Sequence, residues 1–119
     1  MIKTKKKQLE SSYDGPITEA VVLAKIYRKS APFDAYRVYD VIEGYYRRTD
    51  YLKFRGDPQR CKAVYDILSD LRNRRLLVAL SGPRLPKFLD DVPSEVFAVP
   101  PNQRKSLAEL YSTLREKQR

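Results

Sequence analysis

The chain has 119 residues, with 24 Lys and Arg against 15 Asp and Glu, no histidine, one cysteine and a formal net charge of +9. That length suits one hydrophobic core, which usually organises about 100 to 150 residues, and leaves no room for a second, catalytic domain. The permanent positive field points to a polyanionic partner, because it raises encounter rates with phosphates and supplies the counterion release behind non-specific nucleic-acid affinity.

With Cys61 as its only thiol, the chain has no disulfide framework, and without histidine a zinc site would lack its usual ligands. The charge is expected to hardly change between roughly pH 5 and 9. The basic start, Met1 to Lys7, is not followed by the apolar stretch that a secretion signal or a membrane span requires, so a cytoplasmic, nucleoid-associated location is expected. Plentiful Arg, Lys, Glu and Tyr beside scarce His, Trp, Met and amides is a balance that leans towards thermophile proteins.

Residues 1–14 are polar, carry Lys3, Lys5, Lys6 and Lys7, and read as a flexible basic arm, either a solvated tail or a phosphate contact. A first helix is predicted from Pro16 to Lys29, buried through Ile17, Val21 and Ala24 with Val22 and Ile26 beside them. Ser30-Ala31-Pro32 breaks it, and Asp34 caps a second helix on which Ala35, Val38, Tyr39, Ile42, Tyr45 and Tyr46 recur at three and four, ending near Arg47 to Thr49. The stretch Arg48–Gly56 holds either a short strand or an extra helical turn, anchored by Leu52 and Phe54.

Gly56-Asp57-Pro58 is the sharpest local signal: Asp57 is suited to cap, and Pro58 to fill the first helical position, where its missing N–H costs nothing. The third helix, 58–72, has an apolar stripe of Cys61, Val64, Ile67, Leu68 and Leu71, leaving Gln59, Arg60, Lys62, Ala63 and Asp66 towards the other side. A strand over Leu76–Leu80, a loop at 81–87 and a returning strand over Ser94–Val99, stopped by Pro100-Pro101, make a β-hairpin. From Asn102, Leu107, Leu110, Tyr111 and Leu114 mark an amphipathic helix that either folds back on the domain or pairs with its copy in a homodimer.

Three helices followed by a two-stranded hairpin is the order of a winged helix-turn-helix. The expected fold class is therefore α+β, mainly α: a winged helix-turn-helix with an additional C-terminal helix, divided into an arm (1–14), a winged-helix domain (15–100) and the helix (101–119). The run Gly56-Asp57-Pro58-Gln59-Arg60-Cys61-Lys62-Ala63 to Leu71, followed by Arg75-Leu76-Leu77-Val78, resembles the recognition helix and first wing strand of winged-helix proteins. With the tyrosine-rich second helix (Tyr36, Tyr39, Tyr45, Tyr46), it is similar to the C-terminal winged helix of archaeal origin-recognition initiators over roughly residues 17–99. Those initiators also carry an ATPase domain that has no counterpart here, and a wing richer in Gly and Arg than Ser81–Lys87.

In that architecture the first turns of helix three enter the major groove, about 12 Å wide, where Gln reads adenine and Arg reads guanine in bidentate fashion. The DNA-binding candidates are accordingly Gln59, Arg60, Lys62 and Ala63 on the helix, Lys53 and Arg55 before it, and Arg84 and Lys87 in the wing. No catalytic constellation, nucleotide-binding glycine loop, metal site or cofactor is expected, and the chain is not expected to be an enzyme. The expected role is a DNA-binding transcription regulator or a replication or chromatin-associated factor. The other readings are a protein-docking winged helix in a replication or transcription assembly and an RNA- or ribosome-associated protein.

Overall fold

The computed structural model describes residues 13–44, 56–81, 89 and 91–117. The basic arm up to residue 12, the end predicted for helix two with Tyr45 and Tyr46, the 48–55 stretch and most of the 81–87 loop lie outside the described residues. The fold is α+β and mainly helical, with four α-helices and one two-stranded antiparallel sheet among the described residues.

Helix α1 is Glu19–Ile26, shorter than predicted at both ends, because Thr18 rather than the Pro16 region caps it: its hydroxyl accepts from the Val21 N–H at 3.3 Å. The buried face is also rotated from the predicted one. Ala20, Val22, Leu23 and Ile26 are buried, Ile17 and Val21 pack at the edge of the core, and Ala24 is exposed. A helix apolar on nearly every side does not select its own face, and here contacts with its neighbours on two sides do so.

Helix α2 is Ala35–Glu43, capped by the Asp34 carboxylate, which accepts from the Arg37 N–H at 2.9 Å. It stops at Gly44, whose φ of 82° is left-handed, three to five residues before the predicted end. Helix α3, Pro58–Asn73, begins as expected, with Asp57 accepting from the Gln59 and Arg60 N–H groups at 2.9 and 3.4 Å. At its other end the Arg75 N–H reaches the Arg72 carbonyl and the Leu76 N–H reaches the Leu71 carbonyl, a Schellman closure that puts the non-glycine Arg75 at φ 65°. That closure uses Leu76, so strand β1 is Val78–Ser81 rather than 76–80.

Strand β2, Val96–Ala98, pairs with β1 in the register Val78 to Ala98, Ala79 to Phe97 and Ser81 to Val96, with a one-residue irregularity between Ala79 and Ser81. On its other side Phe97 exchanges two backbone hydrogen bonds with Phe33, at 2.8 and 3.0 Å, so the residue before the Asp34 cap bridges to the sheet. A 3-10 turn, Pro101–Gln103, leads into α4, Arg104–Lys117, which packs mainly against α1 through buried Leu107 and the stacked rings of Tyr27 and Tyr111, 5.0 Å apart. The apolar stripe of α4 is therefore engaged within the monomer: Leu110, Tyr111 and Leu114 pack partly buried on the same core.

That core lies where α1, α2 and α3 meet the hairpin, with Val22, Ile26, Tyr39, Val64, Leu68 and Phe97 buried in it. No helix among the described residues is long and apolar enough to cross a membrane.

Candidate nucleic-acid interface

The start of α3 is held from beneath by α2. Buried Tyr39 accepts the Asp57 N–H at its phenolic oxygen, 2.7 Å away, and that oxygen would lie 2.3 Å from a Cβ at position 56. Gly56 therefore answers two demands at once, its φ of 118° and the close approach of Tyr39. With Cys61, Val64, Leu68 and Leu71 turned into the core, the helix carries Gln59 and Asp66 exposed and Lys62 and Ala63 half-buried. Lys62 meets Asp66 one turn on, its Nζ 3.1 Å from the carboxylate, with side-chain exposures of 37% and 57%. Such a pair is screened and weak, so the lysine is easily recruited by another anion.

Arg60 behaves differently from its expected role at a base edge. Its Nε donates to Glu43 Oε2 at 2.5 Å, Nη1 to the Gly15 carbonyl at 2.7 Å and Nη2 to the Tyr13 carbonyl at 2.9 Å. Burial by itself would lower the Arg60 pKa, but the hydrogen bond and charge of Glu43 outweigh that and raise it. The guanidinium is thus a fully charged fork spent on the end of α2 and on the chain before α1. Gln59, Lys62 and Ala63 remain the outward residues of the first turns.

The basic residues at the far end of α3 are also tied internally. Arg72 bonds buried Glu95, which also accepts from the Tyr65 hydroxyl at 2.9 Å, and Arg74 pairs with Glu19 and Asp70 at 3.1 and 3.0 Å. Burial first, and then the hydrogen bond to Glu95, raise the Tyr65 pKa. The limb leading to β2 is fastened by Tyr36, whose hydroxyl donates to the Val92 carbonyl at 2.6 Å and accepts from the Leu89 N–H at 3.2 Å.

Lys53, Arg55, Arg84 and Lys87 lie outside the described residues, as do Lys3 to Lys7. In sequence they stand before α1, between α2 and α3 and between β1 and β2.

Glu43, Glu95, Tyr65 and the carbonyls of Tyr13 and Gly15 were not foreseen as partners. Glu43 and the two carbonyls meet Arg60, and Glu95 meets Arg72 and Tyr65, across at least seventeen residues in each case, and no local spacing signals that. The chain matches no family model, no curated protein and no solved structure.

Proposed function

We propose that this chain is a winged-helix protein that binds double-stranded DNA, with α3 in the major groove and the loop at the hairpin tip on the backbone. The observation that carries the reading is where the charge sits. Along the sequence, Lys and Arg cluster before α1 (Lys3, Lys5, Lys6 and Lys7), between α2 and α3 (Arg47, Arg48, Lys53 and Arg55) and after β1 (Arg84 and Lys87), in a chain of net charge +9. Those are the segments that border a docked recognition helix. The order α1, α2, α3, β1, β2, and the exchange between Phe33 and Phe97 that adds a third backbone partner to the hairpin, support the same architecture.

In this reading Gln59 reads a base edge, Lys62 leaves Asp66 for a phosphate, and Ala63 admits close approach of the helix. Lys53, Arg55, Arg84 and Lys87 contact phosphates and set the register. The biological setting is transcription regulation or a replication or chromatin-associated role at the nucleoid.

A second reading, a protein-docking winged helix, is favoured by the alternating charges along α3, Lys62 with Asp66 and Asp70 with Arg74, and by Val78 and Leu80, exposed at 42% and 56% on β1. Binding of the full chain to a random duplex-DNA pool at two salt concentrations, with single-stranded DNA and duplex RNA as competitors, separates the two. Duplex-selective binding with an enriched motif and a slope of about −0.9 per phosphate contact supports the DNA reading. Absence of binding to any nucleic acid transfers the assignment to protein docking.

A further inference from the structure

We propose that Asp66 is a specificity-determining residue of α3, selecting a base that offers an amine in the major groove, cytosine first, and penalising guanine and thymine. The proposal rests on the DNA-binding reading above and deepens it by naming what the helix discriminates.

The helix sets the position. At about 3.6 residues per turn, Gln59, Ala63, Asp66 and Asp70 fall in one stripe, on the side of α3 away from buried Cys61, Val64, Leu68 and Leu71. The two acids of that stripe are not equivalent. Asp70 is bound by Arg74, itself tied to Glu19 on α1, so its carboxylate is committed to the fold. Asp66 is 57% exposed and meets only Lys62 among the described residues, its two oxygens 3.1 and 3.2 Å from the lysine Nζ.

That pair gives way on docking. A DNA phosphate offers Lys62 the release of condensed counterions, which a screened carboxylate one turn away does not. Once Lys62 leaves, both Asp66 oxygens face the groove as acceptors without a donor. Cytosine N4 and adenine N6 are the amines on the major-groove edge, whereas guanine presents N7 and O6 and thymine O4, all acceptors. Adenine sets its N7 acceptor beside the amine, so cytosine is the better partner. Opposite guanine or thymine the carboxylate is held unpaired against like polarity, and a desolvated charge without a partner is costly. Arg60, the residue expected to read guanine, is bound to Glu43 and two backbone carbonyls. Gln59 and Asp66 therefore remain to hydrogen-bond the bases. They lie about 10.5 Å apart along the helix axis, about three base steps of about 3.4 Å, so each faces a different base pair.

The test selects sites from a random duplex pool with the full chain and with Asp66→Ala and Asp66→Asn, then measures affinities for single-base variants of the parent's site at fixed salt. Circular dichroism confirms that each variant is folded. The parent is expected to prefer cytosine over guanine and thymine at one position by at least about fivefold, the low end of what a good base contact discriminates. Asp66→Ala should level that position and leave the others unchanged. It should also bind non-cognate duplexes more tightly, because it removes an anion from a helix that faces phosphates. Asp66→Asn should move the preference at that position to adenine, which an amide reads in bidentate fashion. A motif unchanged by Asp66→Ala, weaker non-cognate binding by that variant, or parent binding without sequence preference overturns the proposal while the DNA reading stands. If the parent chain itself does not bind duplex DNA, both fall together.

Discussion

Arg75 holds a left-handed backbone, φ 65°, at the position that closes α3, a conformation that costs an L-residue about 1 kcal/mol and glycine almost nothing. Arg75→Gly is therefore expected to stabilise the protein by about 0.5 kcal/mol once the greater freedom of glycine in the unfolded chain is deducted, read as a higher denaturant midpoint at unchanged m-value. Tyr65 gives the pH-dependent counterpart. Its folded pKa lies above the ordinary value near 10, raised by burial and by Glu95, so its neutral form is favoured in the native state. The associated stability is complete below pH 10 and is lost as pH rises through the folded value. Urea titrations at pH 9 and pH 11 should show a smaller alkaline loss in Tyr65→Phe than in the parent chain; an equal loss would remove Tyr65 from the account. Neither residue announces itself in the sequence. Arg75 stands in an Arg-rich run that favours a helix C-terminus on charge alone, and nothing near Glu95, the residue before β2 and the partner of Tyr65, marks it for burial against Arg72.

Element starts are legible at the aspartate caps of α2 and α3 and obscure at Thr18 and wherever the backbone ends an element. Asp34, Asp57 and Pro58 set the starts of α2 and α3 at the expected residues, because capping is a local interaction between a side chain and the N–H groups two or three positions on. The tyrosines that continue the apolar spacing beyond Gly44 mask its helix-ending role, and β1 starts later than expected because a Schellman closure takes Leu76, which looks like strand. The place of α4 follows from tertiary packing. Its stripe suits a copy of itself or the body, and the stacking of Tyr111 on Tyr27 with Leu107 in the common core decides for the body. Leu107→Ala should consequently destabilise the whole fold by about 3 kcal/mol, in the range of a Leu deleted from a core, in one cooperative transition. A separate low-temperature melting of α4 would show instead that the helix is an appendage.

At the scale of the molecule, Lys and Arg that cluster in sequence on either side of α3 make the position of charge more informative than its total. If α3 leads the approach, the cations that matter are those in sequence beside it, and the ones on α4, packed against α1, contribute only to the distant field. Neutralising Lys53, Arg55, Arg84 and Lys87 should reduce the magnitude of the log–log salt slope of duplex binding by up to about 3.6, while neutralising Arg104, Lys105, Arg115 and Lys117 should change it by less than about one. The two quartets remove the same charge, so net electrostatic attraction predicts equal effects and a directed interface predicts unequal ones. Because the chain has no histidine, the side chain whose ordinary titration falls near neutral pH, the contrast should persist unchanged from about pH 6 to pH 9. Equal slopes for the two quartets would leave the charge as a general attractor for polyanions and withdraw α3 from the leading position.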